Sequence, residues 1–593
     1  MEDTPMRTRL RFPLGAFAGL LAALAASAAG AQESAAESSG LVSGDVAWVL
    51  TSSAIVLMMT IPGLAFFYGG LVRDRNVLSI FMLCFVTAAL VSVTWILWGY
   101  SIAFGNSIGG LFGDLSKAGL RGVSWIAGPE DTIPEQLFMV FQLMFAIITP
   151  ALIVGAVAER MKFSAFVLFV LFWSTFIYAP LAHWAWGDGG WASEMGALDF
   201  AGGTVVHISS GASALVAAAM IGRRRGYGRP APPHNVPFVV AGAALLWVGW
   251  FGFNAGSALA ADGLAVVAFV NTNTATGAAV LGWLISEWVG KGKPTAVGAA
   301  TGAVAGLVAI TPGAGFVEPW AAILIGAVAG FLCYKACNWK VKVGYDDALD
   351  VVGVHGVGGV WGALATGLFA STLLAGEGGW FTNDNFGQFL TQIYSVLATV
   401  AFCAVGTAII LSILNGILGI RVDEEVEAYG LDLALHAENA YSQIGPGGAS
   451  EAPQQTPARE RRTPSLGKRR PPSPERAQRE APRTPPAAAA AAVGGRNAPQ
   501  TATRTTREPA RRRFRITVEG VEPGSLSKWW TQLCNQDSSK LPPAFREVHG
   551  NLRTFEGDTF HFRAGDPSEI RERLAYLLDI YGVPSSGLRV AEA

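Results

Sequence analysis

Residues 200–225 read FAGGTVVHISSGASALVAAAMIGRRR, a run of small and apolar residues that ends abruptly in Arg223, Arg224 and Arg225. A helix rising about 1.5 Å per residue over 200–221 would be about 33 Å long, which matches a bilayer hydrocarbon core about 30 Å thick. Its one ionisable side chain is His207. The stretch therefore predicts a spanning helix whose arginines mark one membrane face. Outward from it, similar runs recur, and the sequence predicts eleven helices near 46–71, 76–104, 134–158, 163–183, 200–221, 236–257, 263–288, 295–311, 320–338, 351–372 and 388–420. Charge tests this count independently of hydropathy. Alternate loops carry Arg73 and Arg75, Arg160 and Lys162, Arg223 to Arg225 with Arg229, Lys291 and Lys293, and Lys335 to Lys342, whereas the other loops hold only Lys117 and Arg121 among mostly acidic residues. That alternation follows the positive-inside rule, with the N-terminus outside and the C-terminus cytoplasmic in the cell's inner (plasma) membrane.

Composition agrees with a polytopic membrane protein. Of 593 residues, 51% are hydrophobic, only 15% are charged and 71 are glycine, which excludes a disordered polymer and argues against one soluble domain. The net charge of -1 gives no global signal for a nucleic-acid partner. Five cysteines are too few for a disulfide framework, and Cys333 and Cys337, one helical turn apart, are read as packing residues rather than metal ligands. At the N-terminus, Arg7, Arg9 and Arg11 precede an apolar run and the triplet Ala29-Gly30-Ala31, so residues 1–31 read as a cleavable signal peptide.

Several spans carry small residues four apart, as in Gly252/Gly256, Gly302/Gly306, Gly326/Gly330 and Gly358/Gly362, which suits closely packed helices. Val206-His207 with Gly211 recurs as Val354-His355 with Gly359. The recurrence predicts a five-plus-five inverted repeat with a histidine on the last helix of each half. Past the membrane region at 45–420, residues 421–444 form a polar cytoplasmic tail. Residues 445–510 are rich in Pro, Ala and Arg, and 451–515 hold sixteen basic and five acidic residues, the composition of a basic linker. From 511 to 593 the pattern reads βαββαβ: strands at 514–518, 545–552, 559–563 and 587–590, and helices at 525–533 and 567–581, a small cytoplasmic ferredoxin-like α+β domain for regulation or interaction. Trp529 and Trp530 are read as its core and surface, not as a nucleic-acid stacking platform.

The chemistry concentrates inside the membrane. His207 and His355 lie deep in apolar helices, where an ionisable group is costly and by default functional. A single such histidine could simply satisfy a neighbouring helix, but two in matching positions favour function. A neutral imidazole offers one donor and one acceptor, so a pair can hold a small polar molecule or pass a proton. Phe141 and Phe145 share a helix face, as do Phe253 and Ser257; with Tyr178, Trp186, Trp250 and Phe251 they can bind a small cation through aromatic faces and a hydroxyl. Trp184 and Trp191 read equally as interfacial anchors. Asp199 could add negative potential or cap the helix from Phe200.

The stretches Gly196 to His207, Gly249 to Ser257 and Val352 to Gly358, with Thr60-Ile-Pro-Gly63, Phe67-Tyr-Gly-Gly-Leu71, Ala158-Glu-Arg160 and Gly430 to Tyr441, resemble signatures of the Amt/Mep/Rh ammonium transporters, of the bacterial Amt type. The resemblance runs from about Asp45 to Tyr441 and implies a homotrimer with one pore per subunit, serving nitrogen uptake. It implies that Trp186, Phe145 and Ser257 recruit ammonium, or methylammonium, at the outer mouth. Phe145 with Phe253 would form a phenyl gate, and His207 with His355 a pore and proton relay. Phe141, Tyr178 and Trp250 would line the vestibule and gate, and Asp199 would lie below the recruitment site. It implies no cofactor, and a PII-type regulatory protein as a partner at the cytoplasmic face. An ammonium sensor signalling through the C-terminal domain is the alternative, and a Rh-like gas or methylamine channel a weaker one. No nucleophile–base pair or metal cluster in the membrane region suggests an enzyme.

Overall fold

A computed structural model describes residues 40–128, 131–229 and 231–441, together with strands at 511–518, 555–556, 559–563 and 588–592. The signal peptide expected at 1–31, the linker expected at 445–510, the helices expected at 525–533 (with Trp529 and Trp530) and 567–581, and the strand expected at 545–552 lie outside the described residues. The chain divides into two compact units, Met1–Thr456 and Pro457–Ala593.

Among the described residues of the first unit, eleven helices are long and apolar enough to cross a bilayer: α1 (Ser43–Leu71), α2 (Asp74–Phe104), α3 (Glu135–Val157), α4 (Phe163–Glu194), α5 (Gly203–Ile221), α6 (Val236–Ala258), α7 (Gly263–Lys291), α8 (Ala296–Gly313), α9 (Pro319–Val343), α10 (Val352–Phe369) and α11 (Phe386–Leu418). The first unit has a helical multi-pass membrane fold. α3 and α8 are the most enclosed, with 89% and 83% of their apolar windows buried, while α11 at 33% lies at the periphery. Two short helices, α12 (Glu424–Tyr429) and α13 (Leu431–His436), follow in the tail.

Among the boundaries that differ from the sequence expectation, four have clear local reasons. α4 continues past 183 to Trp186, because the break comes only at Gly187-Asp-Gly-Gly190, and a short turn of helix resumes at Trp191. α5 begins at Gly203 rather than 200, since Gly202 takes the left-handed conformation and Phe200 N–H donates to Pro312. α9 runs to Val343, where Gly344 at φ 91° closes it, so Lys335, Lys340 and Lys342 occupy its last turns and not a loop. α10 stops at Phe369 because Ala370 turns extended and bridges to Val317.

The small-residue pairs set the packing distances. Gly326 and Gly330 of α9 lie against the backbone of α7 at Ala275 and Ala279, and Gly302 and Gly306 of α8 meet the same helix, which leaves no room there for larger side chains.

Four of the five loops expected on one side are tied together at one end of the bundle. Glu159, between α3 and α4, accepts from Arg73 N–H (2.9 Å), Asn76 (3.1 Å) and Arg224 Nη1 (3.1 Å). Arg224 in turn grips Asp346 through Nε and Nη2 (3.0 and 2.8 Å). Burial alone would raise the Asp346 carboxyl, but the bidentate Arg224 guanidinium holds it below its ordinary range. Arg160 is fully buried, which pulls it down to about 10, and it donates to the Gly222, Ala158 and Asp346 carbonyls. The tail joins this end: Asp432 accepts from Leu78 and Ser79 N–H, and Arg421 pairs with Glu427 at 2.8 Å. At the other end, His183 bridges the Ala103 carbonyl (3.0 Å) and Ser107 Oγ (2.8 Å), and Gln392 pairs with the Leu198 backbone. The same end holds a short hairpin of β1 (Ser107–Ile108) and β2 (Phe112–Gly113).

In the second unit, β3 (Arg511–Val518), β4 (Phe555–Glu556), β5 (Thr559–Arg563) and β6 (Leu588–Glu592) form an antiparallel sheet in the order β4-β5-β3-β6.

Candidate functional site

His207 and His355 each sit within a π-helical turn, Gly203–Ile208 at the start of α5 and Val352–Gly356 at the start of α10. Such turns widen a helix locally and are frequent at functional sites. Here they bring the two imidazoles together, with Nδ1 of His207 3.3 Å from Nδ1 of His355 and ring centroids 5.3 Å apart. Both rings line a narrow, mostly enclosed cavity whose other walls are apolar: aliphatic Leu64, Ile148, Leu152, Val206, Leu246 and Val304, and aromatic Phe67, Trp250 and Phe253. Among the described residues, buried Nε2 of His207 has no hydrogen-bond partner. An orphaned buried nitrogen carries a desolvation cost, so its persistence beside a cavity marks a place for a small hydrogen-bonding molecule.

A continuous file of rings leads away from the histidines. Phe253 on α6 lies 6.0 Å from His207, Phe145 on α3 lies 4.3 Å from Phe253, and Trp186 meets Phe145 edge-on at 5.9 Å. Phe145 and Phe253 are fully buried, tilted 37° to each other, and stand between Trp186 and the cavity that Phe253 lines. Trp186 is only half-buried, held by its indole N–H on the Asp199 carbonyl at 2.9 Å. Ser257, one turn beyond Phe253, donates its hydroxyl to the Phe253 carbonyl (2.9 Å) and keeps its oxygen lone pairs as acceptors.

Of the vestibule candidates, Phe141 packs edge-on against Phe145 at 5.0 Å. Trp250 lies deeper, stacked 5.4 Å from His207 and fixed by its N–H on Thr311 Oγ1 at 2.9 Å. Tyr178 is buried against Trp95 and Trp173. Phe251 faces the other way, stacked on Phe269 at 3.9 Å, and Trp184 donates to the Leu111 carbonyl at 2.8 Å and packs on Trp191 and Phe402.

Asp199 does not cap a helix at Phe200. Its buried carboxylate reaches over the turn and accepts from the N–H groups of Gly202, Gly203 and Thr204 and from the Thr204 hydroxyl, fastening the start of α5 eight residues before His207. Asp347, eight residues before His355, plays the matching part: buried, it accepts from Val352 N–H at 2.8 Å at the start of α10. The sequence reading missed Asp347, although the repeated spacing of Asp, His and Gly at 199, 207 and 211 and again at 347, 355 and 359 was a signal that could have found it.

The sequence matches the Ammonium Transporter Family over residues 47–441. The chain belongs to this family. Among its relatives, an ammonium transporter of Bacillus subtilis is 51% identical over 404 residues, covering 67% of this chain and 98% of that protein. An ammonium transporter of Aquifex aeolicus is 49% identical over 404 residues, covering 68% of this chain and 94% of that protein. Among solved structures, this ammonium transporter family member is similar to Saccharomyces cerevisiae Mep2, with a TM-score of 0.61, 36% identity and coverage of 65% of this chain and 88% of that one. It is also similar to a sensor Amt protein, with a TM-score of 0.62, 30% identity and coverage of 66% and 98%. The matched region ends at Tyr441, whose hydroxyl meets His234 Nε2 at 2.8 Å.

Proposed function

We propose that this protein is an ammonium transporter in which ammonium is recruited between Trp186, Phe145 and Ser257, loses a proton near the Phe145–Phe253 pair, and crosses as ammonia past His207 and His355. The observation that carries this reading is the 3.3 Å histidine pair in an otherwise apolar cavity, with His207 Nε2 unpartnered among the described residues. Magnitudes decide which form crosses. Burying an isolated ammonium without replacing its water shell costs on the order of tens of kcal/mol. Surrendering a proton from an alkylammonium of pKa about 10.4 at pH 7 costs only about 5 kcal/mol. One N–H bond breaks at the mouth, neutral ammonia passes through the slot, and the proton moves separately through the imidazole pair, so each turnover carries one positive charge inward. Potassium has no proton to give up and is excluded.

The matched π-turns, aspartates and glycines around His207 and His355 support two inverted halves, α1–α5 and α6–α10. The clustering of basic loops at one end supports placing that end, and the C-terminus, in the cytoplasm. Family membership supports a homotrimer in the lipid bilayer, with a PII-type protein docking on the cytoplasmic face. The antiparallel order β4-β5-β3-β6 supports a ferredoxin-like domain at 511–593. A second reading, an ammonium sensor with that domain as its output, is favoured by the similarity to a sensor Amt protein.

The test is current in proteoliposomes. With His207→Leu and His355→Leu together, ammonium current should vanish while the protein still folds, and potassium should carry none in either form. Undiminished ammonium current in the double variant would sink the relay.

A further inference from the structure

At the end of the bundle opposite the Trp186 mouth, a cavity of about 830 Å³ opens between the α1–α2 loop, the α5–α6 loop and the tail helix α12. Four arginines line it: Arg73, Arg75, Arg225 and Arg229, with Tyr227 and Ala428 completing its walls. Basic residues at this end are ordinary for a membrane protein, but a merely solvated basic face spreads its charge outward. Here four arginines, three of them exposed, line one open concavity.

The two buried acidic groups beside them, Glu159 and Glu427, are engaged elsewhere. Glu159 is taken up by Arg73 N–H, Asn76 and Arg224, and its contact to the Arg73 guanidinium is a loose 3.7 Å. Glu427 is held by Arg225 N–H and by the Arg421 guanidinium. Among the described residues, the side chains of Arg75, Arg225 and Arg229 make no ion pair. The walls are held in place: Arg73 Nη2 donates to the Arg225 carbonyl at 2.9 Å, and the Tyr227 hydroxyl donates to the Tyr345 carbonyl at 3.2 Å. The basic linker of this chain has the wrong sign to fill the space.

We propose that this cavity binds a phosphate-bearing anion. The planar fork of arginine matches phosphate oxygens with paired hydrogen bonds, and several converging guanidiniums select a multiply charged group over a simple carboxylate. The volume falls in the range of small-molecule sites, larger than inorganic phosphate requires. Its two sources are the headgroup of an anionic phospholipid and a soluble phosphorylated compound. Because Ala428 of α12 forms part of the wall, the anion would bridge the tail to both loops.

The experiment uses the delipidated full chain in detergent. Phosphatidylglycerol, with zwitterionic phosphatidylcholine as the comparison of zero net charge, is titrated by native mass spectrometry, and ATP by calorimetry. These are repeated with Arg75→Ala/Arg229→Ala, with Arg75→Lys/Arg229→Lys, and with Lys293→Ala, a basic residue of another loop at the same end. The alanine pair should weaken binding at least tenfold, the lysine pair severalfold, and Lys293→Ala not at all, with ammonium transport retained in all three. Preferential binding of phosphatidylglycerol lost in the alanine pair assigns a lipid headgroup, and ATP binding lost in the same variant assigns a soluble ligand. Absence of binding by both probes, or binding equal in wild type and the alanine pair, overturns the proposal whatever the transport result.

Discussion

Gly211 packs directly onto the backbone of Gly356, so that a Cβ at 211 would overlap the Gly356 Cα and N, and Gly359 lies in the same way beside His207. The glycine four residues after each histidine is thus where the other histidine's helix passes. The close crossing is what brings the two imidazoles within reach of one another.

Gly211→Ala should therefore push α5 and α10 apart. Overpacking of this kind costs about 1–3 kcal/mol. A lower melting temperature together with loss of most ammonium current is expected. Gly359→Ala should be milder, because its added carbon would meet its nearest neighbours at 3.0 to 3.2 Å. Wild-type stability and current in Gly211→Ala would show that the crossing does not set the histidine geometry.

Asp199 is expected to act by positioning rather than by attracting the cation, since its carboxylate is spent on the N–H groups at the start of α5. Asp199→Ala should cost about 1–2 kcal/mol, as for a lost helix cap. It should lower maximal current more than apparent ammonium affinity. A variant that melts as wild type and shows only a raised half-saturation concentration would instead assign it to recruitment.

Asp347 gives a pH signature. Burial pushes its carboxyl up to about 6, above its unfolded value near 4. The folded state then holds this proton more tightly, so ionisation costs stability; the cost is absent below about pH 4, grows as pH rises, and is complete above about pH 6. Two units correspond to about 3 kcal/mol. Asp347→Asn should thus gain stability relative to wild type on going from pH 4 to pH 7 in thermal melts. A difference that does not change with pH would show that the carboxyl is not shifted.

Truncation after Tyr441 should leave ammonium current intact, because the tail closes its own contacts at that point: Leu431 N–H donates to Asn76 and Asp432 accepts from Leu78 and Ser79. Full current assigns the extension to regulation or signalling. Loss of current in a truncated chain that still folds would make the extension part of the transporter.

Hydropathy period, alternating charge and the two histidine motifs made the eleven helices, their order and the pair His207 and His355 legible from the sequence, because crossing a bilayer imposes length and polarity on every segment independently of its neighbours. The repeated small residues likewise announced close packing. What each polar group does was decided only by tertiary structure. Asp199 has the same local sequence whether it faces a cation or its own helix, and its turn toward the amides of 202–204 follows from where α5 starts. The arginine cavity combines residues 73, 75, 225 and 229 with the tail, and only the folded bundle brings those loops to one place. Spanning segments are specified by local composition, whereas burial, partnership and direction of a side chain depend on contacts between residues as far apart as 76 and 431.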